Sequence, residues 1–427
     1  MTRPSSRRRW WAGLLTALAG AATGTLRAEA LKISCGAVGQ ELELCQQAAQ
    51  QWARKTGHTV QVVATPNDAS ERLALFQQVL AARSDRIDVF QVDVVWPGLL
   101  ASHLLDLRPY SQGIEQTHFA SFVANNTVRG RLVAMPWLAN AGLLFYRKDL
   151  LQKYGERVPL TWDELTATAR RVMEAERAAG HARLWGYVWQ GRAYEGLSCN
   201  ALEWLASHGA GTVVAADGRV TVRNAHAAAA LKTAASWVGS ITPKAVLNYA
   251  EEEARGVFQA GNAVFMRNWP YAWAPAQGAE SVIRGKVGVA ALPGGAGGRP
   301  SATLGGESLA VSRYSRYPAL AADLVLYLTS ADVQKQRALV GAYNPTLPAL
   351  YRDADIARSA PFIAELADTF TNAVARPTAA TGRRYNQVSN QFWNAAHDVL
   401  AGTATPDEAL VRLEATLQRL GRNGKWN

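Results

Sequence analysis

Leu31-Lys-Ile-Ser-Cys35, a short apolar run, is followed by Glu41 to Thr56 with Leu44, Ala48 and Trp52 at helical spacing, and then by Thr59-Val-Gln-Val-Val-Ala64. This succession of strand, helix and strand decides the fold. Gly57 stops the helix, and the pattern repeats at once with a helix from Asp68 to Arg83 and an apolar strand from Ile87 to Val92. Strands alternating with helices at this spacing predict a mostly parallel sheet flanked by helices, an α/β architecture. Ligands of such sheets sit beyond the carboxyl ends of the strands. Residues that follow the strands are therefore cleft candidates: Gln40 and Glu41 after the first, Asp93 after the third. Asp93 interrupts the largely apolar run Phe90-Gln-Val-Asp-Val-Val-Trp-Pro97, where a carboxylate needs partners. Ligand hydroxyls are one source of them; capping of a helix that begins near Pro97 is the other.

Further along, strands are predicted at Leu132–Pro136, Ala141–Tyr146, Trp185–Gln190, Lys286–Ala291 and Leu309–Ser312, with a small hairpin around Asp217-Gly218. Thr161 and Glu164 have the spacing of a capping box. Helices are predicted at Leu197–His208 and Ala225–Ser240, and another begins at Glu251. The C-terminal third is helical, with segments at Pro318–Leu328, Ala331–Gly341, Ala360–Thr371, Tyr385–Ala401 and Pro406–Leu420. The glycine-rich stretch Pro293–Gly298 lacks the Lys-Ser/Thr ending of a phosphate loop and reads as a turn. Phe258-Gln-Ala-Gly-Asn-Ala-Val-Phe-Met-Arg-Asn-Trp-Pro-Tyr-Ala-Trp273 reads as a helix end, a turn, a short strand and a group of rings on an extended platform stiffened by Pro270. Such rings either fill a core or stack on the apolar face of a sugar.

At 427 residues the chain exceeds the size at which one core stops growing, so two domains are expected. Arg7-Arg8-Arg9, the apolar run Trp10–Ala22 and Ala28-Glu-Ala30 have the three parts of an export signal over residues 1–30. Ser6-Arg7-Arg8 resembles the twin-arginine pattern as well. Removing that segment takes away five arginines and one acid and lowers the formal charge from +11 to +7. The remaining Lys and Arg are scattered, which argues against nucleic acid as a partner. Cys35 and Cys45 either pair across the first strand-to-helix connection or stay as thiols, and Cys199 reads as a buried thiol. No C-x-x-C spacing occurs and the seven histidines are dispersed, so neither a metal nor a cofactor is expected.

Asp93-Val-Val-Trp96, Ala141-Gly-Leu-Leu-Phe-Tyr-Arg-Lys-Asp-Leu150, Trp189-Gln-Gly191 with Tyr194-Glu-Gly196, Arg267-Asn-Trp-Pro-Tyr-Ala-Trp273 and Thr303-Leu-Gly-Gly306 together resemble one family. It is the periplasmic sugar-binding proteins of ABC importers, in particular the trehalose/maltose-binding branch. The resemblance covers essentially the whole chain after the export signal. It implies a periplasmic, monomeric, two-lobed clamp that closes on a disaccharide and is read by a membrane permease. The implied lobes are residues 31–141 with 308–348, and 142–307 with 349–427, with crossings near Asn140–Leu143, Gly306–Leu309 and Leu347–Leu350.

Position by position, Glu41 and Asp93 resemble carboxylates that hold one glucose, and Arg72 the cation beside them. Glu251 and Trp269 resemble the acid and stacking ring of the other lobe. Tyr271 resembles a further cleft aromatic, Gly306 a backbone contact, and Arg376 a guanidinium reaching over the cleft. Two positions depart from the pattern: Asn140 stands where relatives carry Asp, and Glu307 where the trehalose/maltose relative carries Trp. A secreted glycoside hydrolase is the competing class, since carboxylates and tryptophans around a sugar also describe that chemistry. It requires two carboxyls about 5–5.5 Å or about 6.5–9.5 Å apart, and no pair of acids stands out in the sequence as that couple.

Overall fold

A computed structural model describes every residue except 2–28, 37–38, 296–298, 366–368, 370–372, 423 and 427. The predicted export signal therefore falls almost wholly outside the described residues, as do parts of the turn after the first strand, the Pro293–Gly298 stretch and the Ala360–Thr371 helix. Among the described residues no helix is long and apolar enough to cross a membrane.

Strands β1 (Ala30–Ser34), β2 (Thr59–Val63) and β3 (Val89–Asp93) pair in parallel, with β1 between the other two. Helix α1 (Glu41–Thr56) ends at Gly57, whose φ of 75° gives the left-handed C-cap. Helix α2 (Ala69–Ala81) starts where the Asp68 carboxylate accepts the N–H groups of Ser70 and Glu71. Cys35 and Cys45 are joined in a disulfide that ties the end of β1 to the second turn of α1, and Cys199 is a buried thiol.

Strand β4 (Met135–Ala141) is an edge of this first sheet. After Gly142 the chain enters β5 (Leu143–Arg147) of a second sheet, which also holds β6 (Trp185–Val188), β7 (Ala263–Asn268) and β8 (Val287–Ala291) in the order β8-β5-β7-β6. Strand β9 (Leu304–Val311) then returns to the first sheet between β3 and β4, giving the order β2-β1-β3-β9-β4. The expectation of mostly parallel sheets is met only in part. Strand β9 runs antiparallel to both neighbours because it arrives directly from the other lobe rather than through a crossover helix. In the second sheet only β6 and β7 are parallel.

Each sheet is covered by helices around its own apolar core. Trp162, Tyr187, Trp189, Trp204 and Trp237 fill one side of the second sheet, and Trp52, Val89, Leu309 and Leu324 help fill the first. The helix Tyr385–Leu400 packs on helix α3 (Glu195–Ser207) of the second lobe.

Thr346, in the segment that follows the helix Ala331–Gly341, is tied to Phe119 and His118. Its carbonyl accepts the Phe119 N–H at 2.8 Å and its hydroxyl lies 2.7 Å from His118 Nδ1. Burial lowers the His118 pKa to about 4, against a pull in the other direction from Glu115. An unfolded histidine titrates near 6.5. Between those values the unfolded chain takes the proton first, so stability falls as pH drops through the window from about 6.5 to about 4. Each pH unit is worth about 1.4 kcal/mol at most, and this site is expected to contribute roughly 1–3 kcal/mol of acid lability. Urea unfolding at pH 7 and pH 4.5 checks this: His118→Asn should lose less stability between the two than the wild type does.

Candidate functional site

The carboxyl ends of β1 and β3 face the second sheet across a void of about 730 Å³, counted with its mouth. Four of its carboxylates arrive from four directions. Glu41 opens α1, Asp93 ends β3, Glu307 lies on β9, and Glu251 opens helix α4 (Glu251–Gln259). Glu307 and Asp93 are cross-strand partners, so their side chains share a face of the sheet. Each is held by its own guanidinium: Arg72 Nη2 donates to Glu307 at 2.9 Å, and Arg376 Nη2 to Asp93 at 2.8 Å. Burial, with Asp93 and Glu41 close by, raises the Glu307 carboxyl above its ordinary value, against the pull of Arg72 and Arg376. Asp93 also accepts the Val95 N–H at 3.0 Å, a local turn rather than a cap on the helix near Pro97.

Trp269 stands at the exit of β7 in extended conformation and supplies the cavity's large ring. The Arg267 guanidinium lies 4.0 Å from the centre of that ring and covers one face of it. The Trp269 indole N–H donates to Glu251 at 3.3 Å. Tyr271 also lines the cavity, its hydroxyl donating to Glu252 at 2.7 Å. The extended platform expected from the sequence stops at Trp269. Pro270 begins a helical turn instead, where its fixed φ and missing N–H are well suited. The turn sends Trp273 away from the cavity to pack edge-on against Phe362.

Of the residues singled out in the sequence, the structure brings Glu41, Arg72, Asp93, Asn140, Glu251, Trp269, Tyr271, Gly306, Glu307 and Arg376 to the wall of this one cavity. Gln40 is outside it: as the residue before α1 it is exposed, and its side chain caps nothing. Four buried polar atoms on the wall have no hydrogen-bond partner among the described residues: Asn140 Oδ1, Glu307 Oε2, and the Nε atoms of Arg72 and Arg376.

Sequence reasoning missed Glu195, Cys199, Gly305 and Tyr343, all on the wall. Glu195 carried a usable signal. It opens helix α3 directly after a strand and loop, the same rule that selected Glu41. Its carboxylate accepts Arg376 Nη1 at 2.8 Å, Ser389 Oγ at 2.6 Å and the Tyr385 hydroxyl. Burial raises its pKa even so. Tyr343 offered no comparable signal, since it follows a helix and a left-handed Ala342.

The lobes also touch at and beside the cavity wall. Arg192, after β6, pairs with Asp68 at the start of α2, and the Glu195 N–H donates to Ser70 Oγ at 3.3 Å. Arg376 joins Asp93 of the first lobe to Glu195 of the second. Two lobes meeting over a cavity walled by carboxylates, guanidinium groups and an indole define a solute-binding protein.

Residues 39–335 match the family described as bacterial extracellular solute-binding protein, and the chain belongs to that family. It is 49% identical over 406 residues to a protein of Deinococcus radiodurans named a probable ABC transporter-binding protein, covering 95% of this chain and 96% of the relative. Among solved structures, maltose-bound MalE3 of T. maritima matches with a TM-score of 0.88 and 39% identity, over 92% of this chain and all of the other. The GacH receptor of Streptomyces glaucescens, at 24% identity and a TM-score of 0.82 over 93% of this chain and all of that one, shares the fold. The family and these relatives are binding proteins, so the chain is not an enzyme.

Proposed function

We propose that this chain is the periplasmic solute-binding component of an ABC sugar importer, capturing an α-glucoside disaccharide such as maltose or trehalose by lobe closure and presenting it to a membrane permease. The observation that carries the reading is the cavity wall, on which two unpartnered acceptors and two unpartnered donors occur together with the ring of Trp269. A buried polar atom without a partner costs free energy. Sugar hydroxyls, which donate and accept at once, satisfy both kinds of atom, while the uncovered face of the indole takes the apolar face of a pyranose. The maltose-bound relative supports an α-glucoside.

In this reading Glu41, Asp93, Asn140, Glu251, Glu307 and Arg376 hold hydroxyls, Trp269 and Tyr271 pack on the rings, and Arg72 fixes Glu307. Residues 31–141 with 308–348 form one lobe and 142–307 with 349–427 the other. The protein works as an exported monomer, and ligand drives closure by binding the shut state better than the open one. Calorimetric titration of residues 31–427 with maltose, trehalose, sucrose and glucosylglycerol tests this, with chromatography of the bound sugar. One-to-one binding of an α-glucoside that leaves uncleaved is expected. No heat with any of the four would overturn the ligand class.

A further inference from the structure

Behind the cavity lies an arginine that the site does not use. Arg337 sits on the helix Ala331–Gly341 and is 2% exposed, and none of its guanidinium nitrogens has a hydrogen-bond partner among the described residues. The group is sandwiched between rings, 3.8 Å from the centre of Trp137 and 4.8 Å from that of Tyr343. Burial lowers its pKa, against the pull of Glu41, Tyr343 and Glu307. Packing alone does not call for a charge here, since a methionine would fill the same slot between two rings without its desolvation cost. The carboxylate it pairs with is Glu41, whose Oε1 lies 3.8 Å from Arg337 Nη2.

The same oxygen, Glu41 Oε1, accepts the side-chain N–H of Gln91 at 2.6 Å. Gln91 is fully buried on β3, and its own Oε1 accepts the Gly36 N–H at 2.5 Å. Glu41 is packed so closely over Gly36 that a Cβ at that glycine would stand 2.2 Å from Glu41 Oε2. The Cys35–Cys45 disulfide closes the loop that carries both residues. Gly36, Gln91 and Arg337 thus form a cradle around one cavity carboxylate, and neither Gln91 nor Arg337 lines the cavity itself.

We propose that Gln91 and Arg337 are positioning residues for ligand binding: they fix the Glu41 carboxylate in the orientation that meets a sugar hydroxyl, Gln91 by a hydrogen bond and Arg337 by its charge. The proposal rests on the sugar-binding reading above. The charged and titratable groups that act on Glu41 are Arg337 from its helix, Arg72 from α2, Glu307 from β9 and Tyr343 from the wall. Because Arg337 donates no hydrogen bond to a described residue, it acts on Glu41 through its charge; lysine keeps that charge but not the plane stacked between Trp137 and Tyr343, so it should recover only part of the effect.

The test is a double-mutant cycle on maltose affinity, read by calorimetry at pH 7. Arg337→Met is expected to weaken binding about tenfold, as partners behind ligating side chains do at metal sites. Arg337→Lys should recover part of that affinity, binding more tightly than the methionine variant, and Arg337→Met should add nothing in a Glu41→Gln background. A factor that multiplies fully with Glu41→Gln, or a lysine variant as weak as the methionine one, would overturn the proposal. Should Arg337→Met not fold, Gln91→Met in the same cycle decides by the same criterion. Should the wild type take no maltose, the sugar reading has failed rather than this one. The ¹³C carboxyl resonance of Glu41 in ligand-free protein then decides: a displacement in the methionine variant that lysine reverses supports the cradle, and an unmoved resonance refutes it.

Discussion

Trp269→Ala is expected to weaken binding of the preferred α-glucoside by about 30- to 150-fold, or about 2–3 kcal/mol, the range of a central aromatic anchor. The size follows from how the ring is held. The Arg267 guanidinium covers one face at 4.0 Å, the indole N–H is fixed on Glu251 at 3.3 Å, and a Cβ at Gly305 would come within 3.0 Å of the ring edge. Little side-chain entropy is left to lose when a sugar arrives, so most of the stacking appears as affinity. Trp269→Phe keeps a ring but loses the bond to Glu251, and should fall between wild type and alanine. Calorimetry on both variants checks this. A loss below about threefold in the alanine variant would mean that the ring is not a sugar platform.

Where local chemistry dictated an element, its limits could be read from the chain. Glu41–Thr56 ends at Gly57 because only glycine enters the left-handed cap without strain. Pro406–Leu420 begins with Thr405 and Glu408 exchanging capping bonds. Strand β9 was harder. A strand is expected over Leu309–Ser312, yet the pairing of β9 begins five residues earlier, at Leu304. Its glycines answer tertiary demands: Gly305 makes room for Trp269, and Gly306, at φ 142°, lies so close to the Leu138 carbonyl that a Cβ would stand 2.6 Å from it. The cavity was legible where a residue directly follows a strand or matches a family phrase, as with Asp93 and Trp269. It was not legible where a helix far along the chain returns, as with Tyr343, or where one buried residue props another, as with Arg337. Those relations depend on three-dimensional juxtaposition, which no periodicity encodes.

Glu203→Ala is expected to cost about 3–5 kcal/mol of folding stability, since it leaves a buried guanidinium without its counter-charge. Glu203 and Arg267 are each about 1% exposed, and the Arg267 Nη2 to Glu203 Oε1 distance is 2.5 Å. The second carboxylate oxygen accepts Arg267 Nε at 2.9 Å, and the first also takes the Thr303 N–H at 3.1 Å. Arg267 reaches Gln190 Oε1 as well, at 3.1 Å. This fork-on-fork pair joins helix α3 to β7 beneath Trp269. It also borders the crossing between sheets, because a Cβ at Gly142 would lie 2.1 Å from Glu203 Oε1. Replacing both partners with apolar residues removes the stranded charge, so Glu203→Leu with Arg267→Met should recover much of the loss in urea unfolding followed by tryptophan fluorescence. The double variant should nonetheless bind sugar less well than wild type, because the cation that backs Trp269 has gone. Stability that returns while affinity does not would separate the two tasks of Arg267, holding the lobe together and holding the ring.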